Sequence, residues 1–240
     1  LYETISKHKN PREIYKQKLM TEGIFESGIA KDLDTDFKNL LQERFDEAKE
    51  IKKAKITPFL NDEWKALKRK VTEDFRQDQS TNIAESKLKD LAKFLYEVPN
   101  QDKLFKKTKK LLLDRKKMIE DNNSVDWALG ELLAYASLLS EGHSIRLSGQ
   151  DVERGTFSHR HAILKVEDSE QEVSPLSSIS DSSNFKAYNS LLSEYGVLGF
   201  DYGYSITSPN DLTIWEAQFG DFSNGAQIML DQFISCAEDK

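Results

Sequence analysis

The chain has 240 residues, 38% of them hydrophobic, which suits one ordinary domain with a smaller helical partner. A membrane span needs about 20 consecutive apolar residues, and no stretch approaches this, so we expect no membrane partner. Cys236 is the only cysteine, so an internal disulfide is impossible and a reducing compartment is favoured. Because Cys236 lies in an apolar run, we predict that it is a small core residue.

Charge divides the chain into two parts. Residues 1–123 carry 28 Lys and Arg against 23 Asp and Glu, whereas residues 124–240 carry 6 against 18. We therefore predict a domain boundary here, with a helical linker or scaffold over 1–123 and a second domain over 124–240. In the first part lysines alternate with acids along helical faces and no aromatic platforms are interleaved, so no nucleic-acid partner is expected.

The first part is predicted to be helical. Asn10 is a helix cap before Pro11, which suits a first helical position, and apolar residues then recur at helical spacing as far as residue 54. Gly23 and Gly28 divide this stretch into a short helix, a turn and a longer helix. After a break at Pro58, further helices are predicted over 82–98 and 103–120. No cluster of chemically reactive side chains occurs here, which favours a scaffold or linker.

The second part has an α/β pattern. The predicted elements are helices over 126–139, 194–206 and 224–237, strands over 143–148 and 212–216, and a Ser-, Asp- and Glu-rich loop over 149–190. Strands that alternate with helices indicate a parallel sheet with flanking helices. We expect the two strands to be neighbours or near-neighbours. Sites in such sheets gather at the carboxyl ends of strands, which here are residues 148–151 and 216–219.

The loop after the first strand is the candidate site on residue chemistry alone. Residues 146–161 hold three of the four Arg and Lys found between 124 and 180, and His and Arg donors suit an anionic substrate. The pair His159 and His161 lacks further ligands at a fitting spacing, so no metal site is predicted. A nucleophilic serine is not favoured, because the Gly-x-Ser-x-Gly elbow is missing. Glu194, at the start of a predicted helix, is most simply an acid that complements the helix dipole.

The chain resembles the 2-oxoglutarate dehydrogenase family in three runs. These are IRLSGQDVERGTFSHRH at 145–161, LSEYGVLGF at 192–200 and LTIWEAQFGDF at 212–222. The resemblance is dense from Val125 to Glu238 and weaker over 1–123, where the order of helices carries it. It implies a truncated, transketolase-like pyrimidine-binding domain after an all-helical linker region.

The resemblance also implies roles for individual residues. In thiamine diphosphate enzymes of this class a glutamate hydrogen-bonds the aminopyrimidine ring and relays the proton that activates the cofactor, and the motif places this role on Glu194. Phe219 and Phe222, at 25 and 28 positions beyond Glu194, match two aromatics that pack the pyrimidine ring. Leu192 matches the bulky residue that holds the cofactor bent. Candidates for the substrate pocket are Gln150, His159 and His161.

One departure from the family pattern concerns the metal. The diphosphate-and-metal motif, a Gly-Asp-Gly followed later by Asn, does not occur in this sequence. We therefore expect Mg²⁺ to be bound by a domain absent from this chain, and the isolated fragment to be inactive.

The implied parent enzyme is a homodimer of the tricarboxylic acid cycle. It decarboxylates 2-oxoglutarate and transfers the succinyl group to a lipoyl group on a partner succinyltransferase, in the bacterial cytoplasm, which is favoured, or in the mitochondrial matrix. Two alternatives stay open: a 2-oxoadipate dehydrogenase of the same family, and a purely structural fragment that serves dimerisation or assembly.

Overall fold

The computed structural model describes residues 2–24, 26–53, 59–67, 76, 78, 80–169 and 171–236. The chain forms two compact units, one ending at residue 58 and the other beginning at residue 59. Within the described ranges, no helix has both the length and the apolar character that crossing a membrane requires.

The described residues of the first unit form three helices, α1 (Tyr2–Lys7), α2 (Pro11–Thr21) and α3 (Ser27–Glu50). The predicted cap is confirmed, because the Asn10 side chain accepts a hydrogen bond from the Arg12 backbone N–H at 2.8 Å. Gly23 lies in the turn after α2 with a positive φ, whereas Gly28 lies inside α3 and does not interrupt it. An ion pair between Arg12 and Asp34 joins α2 to α3.

In the second unit, the α-helices that precede the sheet among the described residues are α4 (Asn61–Trp64), α5 (Glu85–Tyr96), α6 (Lys106–Glu120) and α7 (Trp127–Ser140). Asp126 caps α7 by accepting a hydrogen bond from the Leu129 backbone N–H at 2.8 Å. Apolar side chains at helical spacing give α5, α6 and α7 one buried face each, and these faces meet in a common core that includes Leu95, Leu112 and Leu132.

A three-stranded parallel sheet follows, in the order β4–β1–β5. The five strands are β1 (Ile145–Gly149), β2 (Leu164–Lys165), β3 (Glu172–Val173), β4 (Phe185–Asn189) and β5 (Leu212–Glu216), with β2 and β3 forming a separate antiparallel pair. The prediction that the strands near 143–148 and 212–216 are parallel neighbours is confirmed, with Ile145 opposite Leu212 and Gly149 opposite Glu216. The interpretation of 149–190 as loop was wrong in part, because β2, β3 and β4 lie within it.

The two faces of the sheet differ in chemistry. Ile145 and Leu147 of β1 face the core shared with α5–α7, and alternation turns Arg146 and Ser148 to the opposite face. There α8 (Glu194–Thr207) presents the buried Asp201, whose carboxylate accepts hydrogen bonds from the Arg146 Nε at 2.8 Å and from the Ser148 hydroxyl. The predicted helix over 194–206 is thus confirmed, and a buried ion pair joins it to the central strand.

The end of the chain is helical but irregular. A 3₁₀ segment at Asp221–Ala226 leads into α9 (Gln227–Met229) and a π-helical turn at Leu230–Ile234. The single helix predicted over 224–237 is therefore divided, and residue 237 lies outside the described residues. Cys236 is exposed, so its interpretation as a core residue was wrong: the helical turn ends at Ile234, before Cys236 can face the core.

The hydrophobic core contains residues from both sides of the predicted boundary between residues 123 and 124. Leu91 and Leu112 from the predicted linker are buried in the same cluster as Leu132 and Ile145 from the predicted α/β domain. Most charged residues face solvent, so the charge composition describes the surface. The core cluster depends instead on the buried apolar faces of α5 and α6. The division into 1–123 and 124–240 stays a prediction about domain organisation; in packing, α5 and α6 belong with the sheet.

The close approach of β1 to β5 makes Gly149 sensitive to substitution. Gly149 has a φ of +152°, and an added Cβ would lie well inside contact distance of the Glu216 carbonyl oxygen. We expect Gly149→Ala to lower the free energy of unfolding by at least about 2 kcal/mol, measured by urea denaturation. Gly203→Ala is the control: it lies in α8 with no atom within 4 Å of the added carbon, and it should be neutral or stabilising by up to about 1 kcal/mol. Equal losses would contradict the steric argument.

Candidate functional site

Glu194 is the central acid of the candidate site. It is the first residue of α8, yet its side chain is only 5% exposed. One carboxylate oxygen, Oε2, accepts a hydrogen bond from the Trp215 indole N–H, and Oε1 accepts one from the Gln218 backbone N–H, both at 3.0 Å. These donors belong to β5 and the segment after it, not to the first turn of α8. A carboxylate that only complemented its helix dipole would not be turned into the protein in this way.

Two phenyl rings lie after the end of β5. Phe219 and Phe222 have ring centroids 6.5 Å apart, and Phe157 from the loop after β1 packs on Phe219 at 5.9 Å. Phe219 has a φ of +55°, a backbone conformation that is rare for a bulky residue and tends to occur at functional sites. The side chains of Phe219 and Phe222 are 54% and 55% exposed. Together they form a half-exposed aromatic surface.

Glu194 is not screened from water by the other residues that the resemblance places at the cofactor. Leu192 and Phe219 are both exposed. Trp215 and Gln218 cover its carboxylate instead. The sequence analysis missed both of these residues. Strand alternation was the available signal for Trp215, because it places Thr213 and Trp215 on the α8 side of β5 when Ile214 faces the core.

The loop after β1 is docked onto the same strand end. The Thr156 hydroxyl donates to Gln218 Oε1 at 2.9 Å, and Phe157 reaches Phe219. Asp151, Ser158 and His161 all have positive φ, so the loop holds an unusual path that its contacts must maintain. The two strand ends predicted to carry the site are therefore joined.

Arg160 is the buried residue that fixes this loop. It is 3% exposed, and its guanidinium donates to Glu131 Oε1 at 2.6 Å, to the Val152 carbonyl at 2.9 Å and to the Glu216 carboxylate. Burial lowers the pKa of Arg160, but hydrogen bonds to Glu216 and Glu131 outweigh burial and raise it above its ordinary value. The guanidinium therefore stays charged and ties α7, the loop and β5 together. From the sequence, Arg160 counted only as one of the loop's donors that suit an anionic substrate, and its pairing with Glu131 and Glu216 was not predicted.

The three predicted substrate residues lie in this loop. Gln150 is partly exposed in the turn after β1, and both histidines are half-buried. His159 Nδ1 is buried without a hydrogen-bond partner among the described residues. His161 Nε2 lies 3.2 Å from the Ser158 hydroxyl. Among the described residues, no hydrogen bond or ring contact joins either histidine directly to Glu194. The ring of His159 contacts Phe157, which packs against Phe219 of the aromatic surface.

Positive charge surrounds His161. Burial lowers its pKa, and the nearby charges of Arg115 and Arg154 lower it further. Arg115 is itself buried, which lowers the pKa of its guanidinium to about 10, and its Nη1 has no hydrogen-bond partner in the described part of the chain. Across the described residues, no group of three or more His, Cys, Asp or Glu is placed to hold a metal ion.

The fold and the buried acid define a class of domain. Residues 123–240, which are 118 of the 240 residues, match the family model "Transketolase, pyrimidine binding domain". The result confirms the predicted parallel α/β class.

The full chain is similar to E1 components of one enzyme. It is 42% identical to the mitochondrial 2-oxoglutarate dehydrogenase of Saccharomyces cerevisiae over 246 residues, and all of the chain is covered. It is 39% identical over 241 residues to the 2-oxoglutarate dehydrogenase E1 components of Brucella anthropi and Brucella canis. The resemblance seen in the sequence is confirmed. The chain spans about a quarter, 24%, of the length of these relatives.

The role of Arg160 can be tested by removing its charge. We expect Arg160→Met to lower the free energy of unfolding by about 3 kcal/mol, because Glu131 and Glu216 lose their shared partner. Their side chains are 26% and 32% exposed, which places the cost at the low end for a buried pair. Thermal unfolding should shift by roughly 6–12 °C. Arg154→Met is the control: Arg154 is exposed and pairs with Asp151, so its variant should unfold close to the wild-type temperature. A similar loss in both variants would refute the role.

His161 makes stability depend on pH. Its pKa is lowered in the folded state from 6.5, so below that pH the unfolded chain binds a proton that the folded chain does not. Stability from this residue is therefore present above 6.5 and is lost as the pH falls towards the lowered pKa. We expect His161→Gln to reduce the stability lost between pH 7.5 and pH 5.5, measured by urea denaturation. An NMR titration that places the His161 pKa at or above 6.5 would contradict this.

Proposed function

We propose that this chain forms one wall of a thiamine diphosphate-binding active site in a 2-oxo acid dehydrogenase that acts on 2-oxoglutarate. The observation that carries the proposal is Glu194: a carboxylate 5% exposed, bonded at both oxygens, beside a half-exposed aromatic surface. A purely structural fragment has no need for a buried carboxylate, because burying one costs free energy that a solvent-facing acid avoids. The match to the pyrimidine-binding family supports the same choice.

The described residues fit the cofactor's ring. An aminopyrimidine needs a carboxylate for its ring nitrogen and an apolar surface for its flat face. Glu194 supplies the first, and Phe219 with Phe222 supplies the second, with Leu192 exposed nearby to support the bent conformation. The bound cofactor supplies the electron sink for decarboxylation. In the proposed mechanism Glu194 holds and moves a proton at its carboxylate, and the phenyl rings exclude water. We assign Mg²⁺ and the diphosphate to ligands outside this chain.

The loop after β1 is proposed to bind the substrate. A 2-oxo dicarboxylic acid carries two negative charges, and donors near His161 include the charged Arg115 and Arg154. The Nη1 atom of Arg115 and the Nδ1 atom of His159 are buried without described partners. Buried polar atoms are seldom left unpaired in the working state of a protein. We therefore assign His159, His161 and Gln150 to the substrate pocket.

The full reaction involves other proteins. The relatives are named 2-oxoglutarate dehydrogenase or its E1 component, and we propose the same reaction here, with the succinyl group passed to the lipoyl group of a partner succinyltransferase. The exposed Leu191, Leu192 and Phe219 support a homodimer, in which a second surface would cover the site. A bacterial cytoplasm and a mitochondrial matrix both suit the relatives, which come from bacteria and from a mitochondrion.

The proposal is tested by replacing the central acid. Glu194→Gln in the full-length protein keeps the shape and one acceptor oxygen, so one of the two hydrogen bonds can still form, but the amide cannot carry a proton. We expect kcat for decarboxylation of 2-oxoglutarate to fall roughly 10²–10⁴-fold, the range for a positioned acid–base group. The fold should stay intact by circular dichroism.

The control is Glu85→Gln. Glu85 is also the first residue of a helix, α5, but its side chain is exposed and pairs with Lys89. Its variant should keep full activity. If Glu194→Gln retains wild-type turnover and exchanges the cofactor's thiazolium proton at the wild-type rate, Glu194 is only a helix-terminal acid.

A further inference from the structure

We propose that Trp215 is a positioning residue for Glu194: its indole N–H fixes the plane and direction of the carboxylate that acts on the cofactor. The inference rests on the proposed function of Glu194. The sequence analysis gave Trp215 no role, although it lies inside one of the runs that carry the family resemblance.

Two hydrogen bonds hold the Glu194 carboxylate, one at each oxygen. Trp215 Nε1 donates to Oε2 of Glu194, and the Gln218 backbone N–H donates to Oε1, each over 3.0 Å. One donor per oxygen defines the plane of the carboxylate and prevents its rotation. Hydrogen bonds to an ionised group are stronger than those between neutral groups. The free lone pair of each oxygen is thereby left pointing in one direction.

Trp215 is itself held firmly. It lies on β5, opposite Ser148 of the central strand. Its ring packs against a small apolar cluster formed by Leu198, Ala226 and Met229. Strand pairing fixes the backbone, and packing from α8 and α9 fixes the ring, so the indole N–H is aimed before any ligand arrives. A donor that needs no reorganisation during the reaction contributes most to positioning.

Of the two donors, only Trp215 can be removed by a side-chain substitution. Gln218 donates through its backbone N–H, which substitution leaves in place. Trp215→Phe removes the N–H and keeps most of the apolar ring. An isosteric second variant carries benzothienylalanine at position 215, in which sulfur replaces the N–H and the ring volume is retained. This second variant separates loss of the hydrogen bond from loss of packing.

The experiment is a double-mutant cycle in the full-length protein, with 2-oxoglutarate as substrate. We expect each Trp215 variant to lower kcat about 10- to 100-fold, the effect of losing one hydrogen bond to a charged group. KM for 2-oxoglutarate should change by less than about threefold, because no hydrogen bond or ring contact among the described residues joins Trp215 to Gln150, His159 or His161. In the Glu194→Gln background the same change should lower kcat by less than about threefold, since residues that act as a unit are not additive.

The control is Trp127→Phe. Trp127 is the first residue of α7 and is 96% exposed, so its variant should leave kcat and KM unchanged. Full activity in both Trp215 variants, alongside a strong loss for Glu194→Gln, would overturn the positioning role and leave the proposed function standing. Additive losses would overturn it as well, because Trp215 would then act by another route. If Glu194→Gln is fully active, the proposed function fails and the positioning role fails with it.

Discussion

The buried guanidinium of Arg160 is the point on which the candidate site depends. It binds Glu131 of α7, the Val152 carbonyl in its own loop and Glu216 at the end of β5. Three segments that are far apart in the sequence are thereby held at one edge of the sheet. Because one cation faces two carboxylates, loss of the guanidinium leaves both carboxylates without their shared partner. The loop with the histidines and the strand end that leads to Phe219 therefore keep a fixed relation.

Arg146, whose side chain is 16% exposed, has a similar role on the other face of the sheet. Arg146 binds Asp201 of α8, and its guanidinium lies over the rings of Tyr188 and Phe200 at 4.4 and 4.7 Å. The ion pair fixes α8 against β1, and cation–π contacts cover the charge. The position of Glu194, at the start of α8, follows from this anchor. The contacts of Arg160 thus fix the loop after β1, and the ion pair of Arg146 fixes the helix that carries Glu194.

The site is organised where it meets the protein and open where a ligand would bind. Glu194 and Arg160 are buried and hydrogen-bonded to the protein, whereas Leu192, Phe219 and Phe222 are exposed. Polar groups need fixed partners inside the protein, because unpaired ones are costly there. Apolar side chains left exposed at the same edge lose nothing by being covered later, and they gain free energy when a flat ring or a second surface packs on them. Buried, hydrogen-bonded polar groups next to exposed apolar side chains suit a surface that binds one side of a cofactor.

The sequence by itself determined the local elements and the family. Asn10, Pro11 and Asp126 marked the starts of helices. The alternation of predicted strands with predicted helices indicated a parallel sheet, and three runs of residues indicated the pyrimidine-binding class. It could not find β4, because that strand has one buried residue, Phe185, and reads as loop. Nor could it pair Arg160 with Glu131 and Glu216, or Trp215 with Glu194. Those contacts join residues 21 to 56 positions apart, and only the packing of α7, α8 and the sheet brings them within reach.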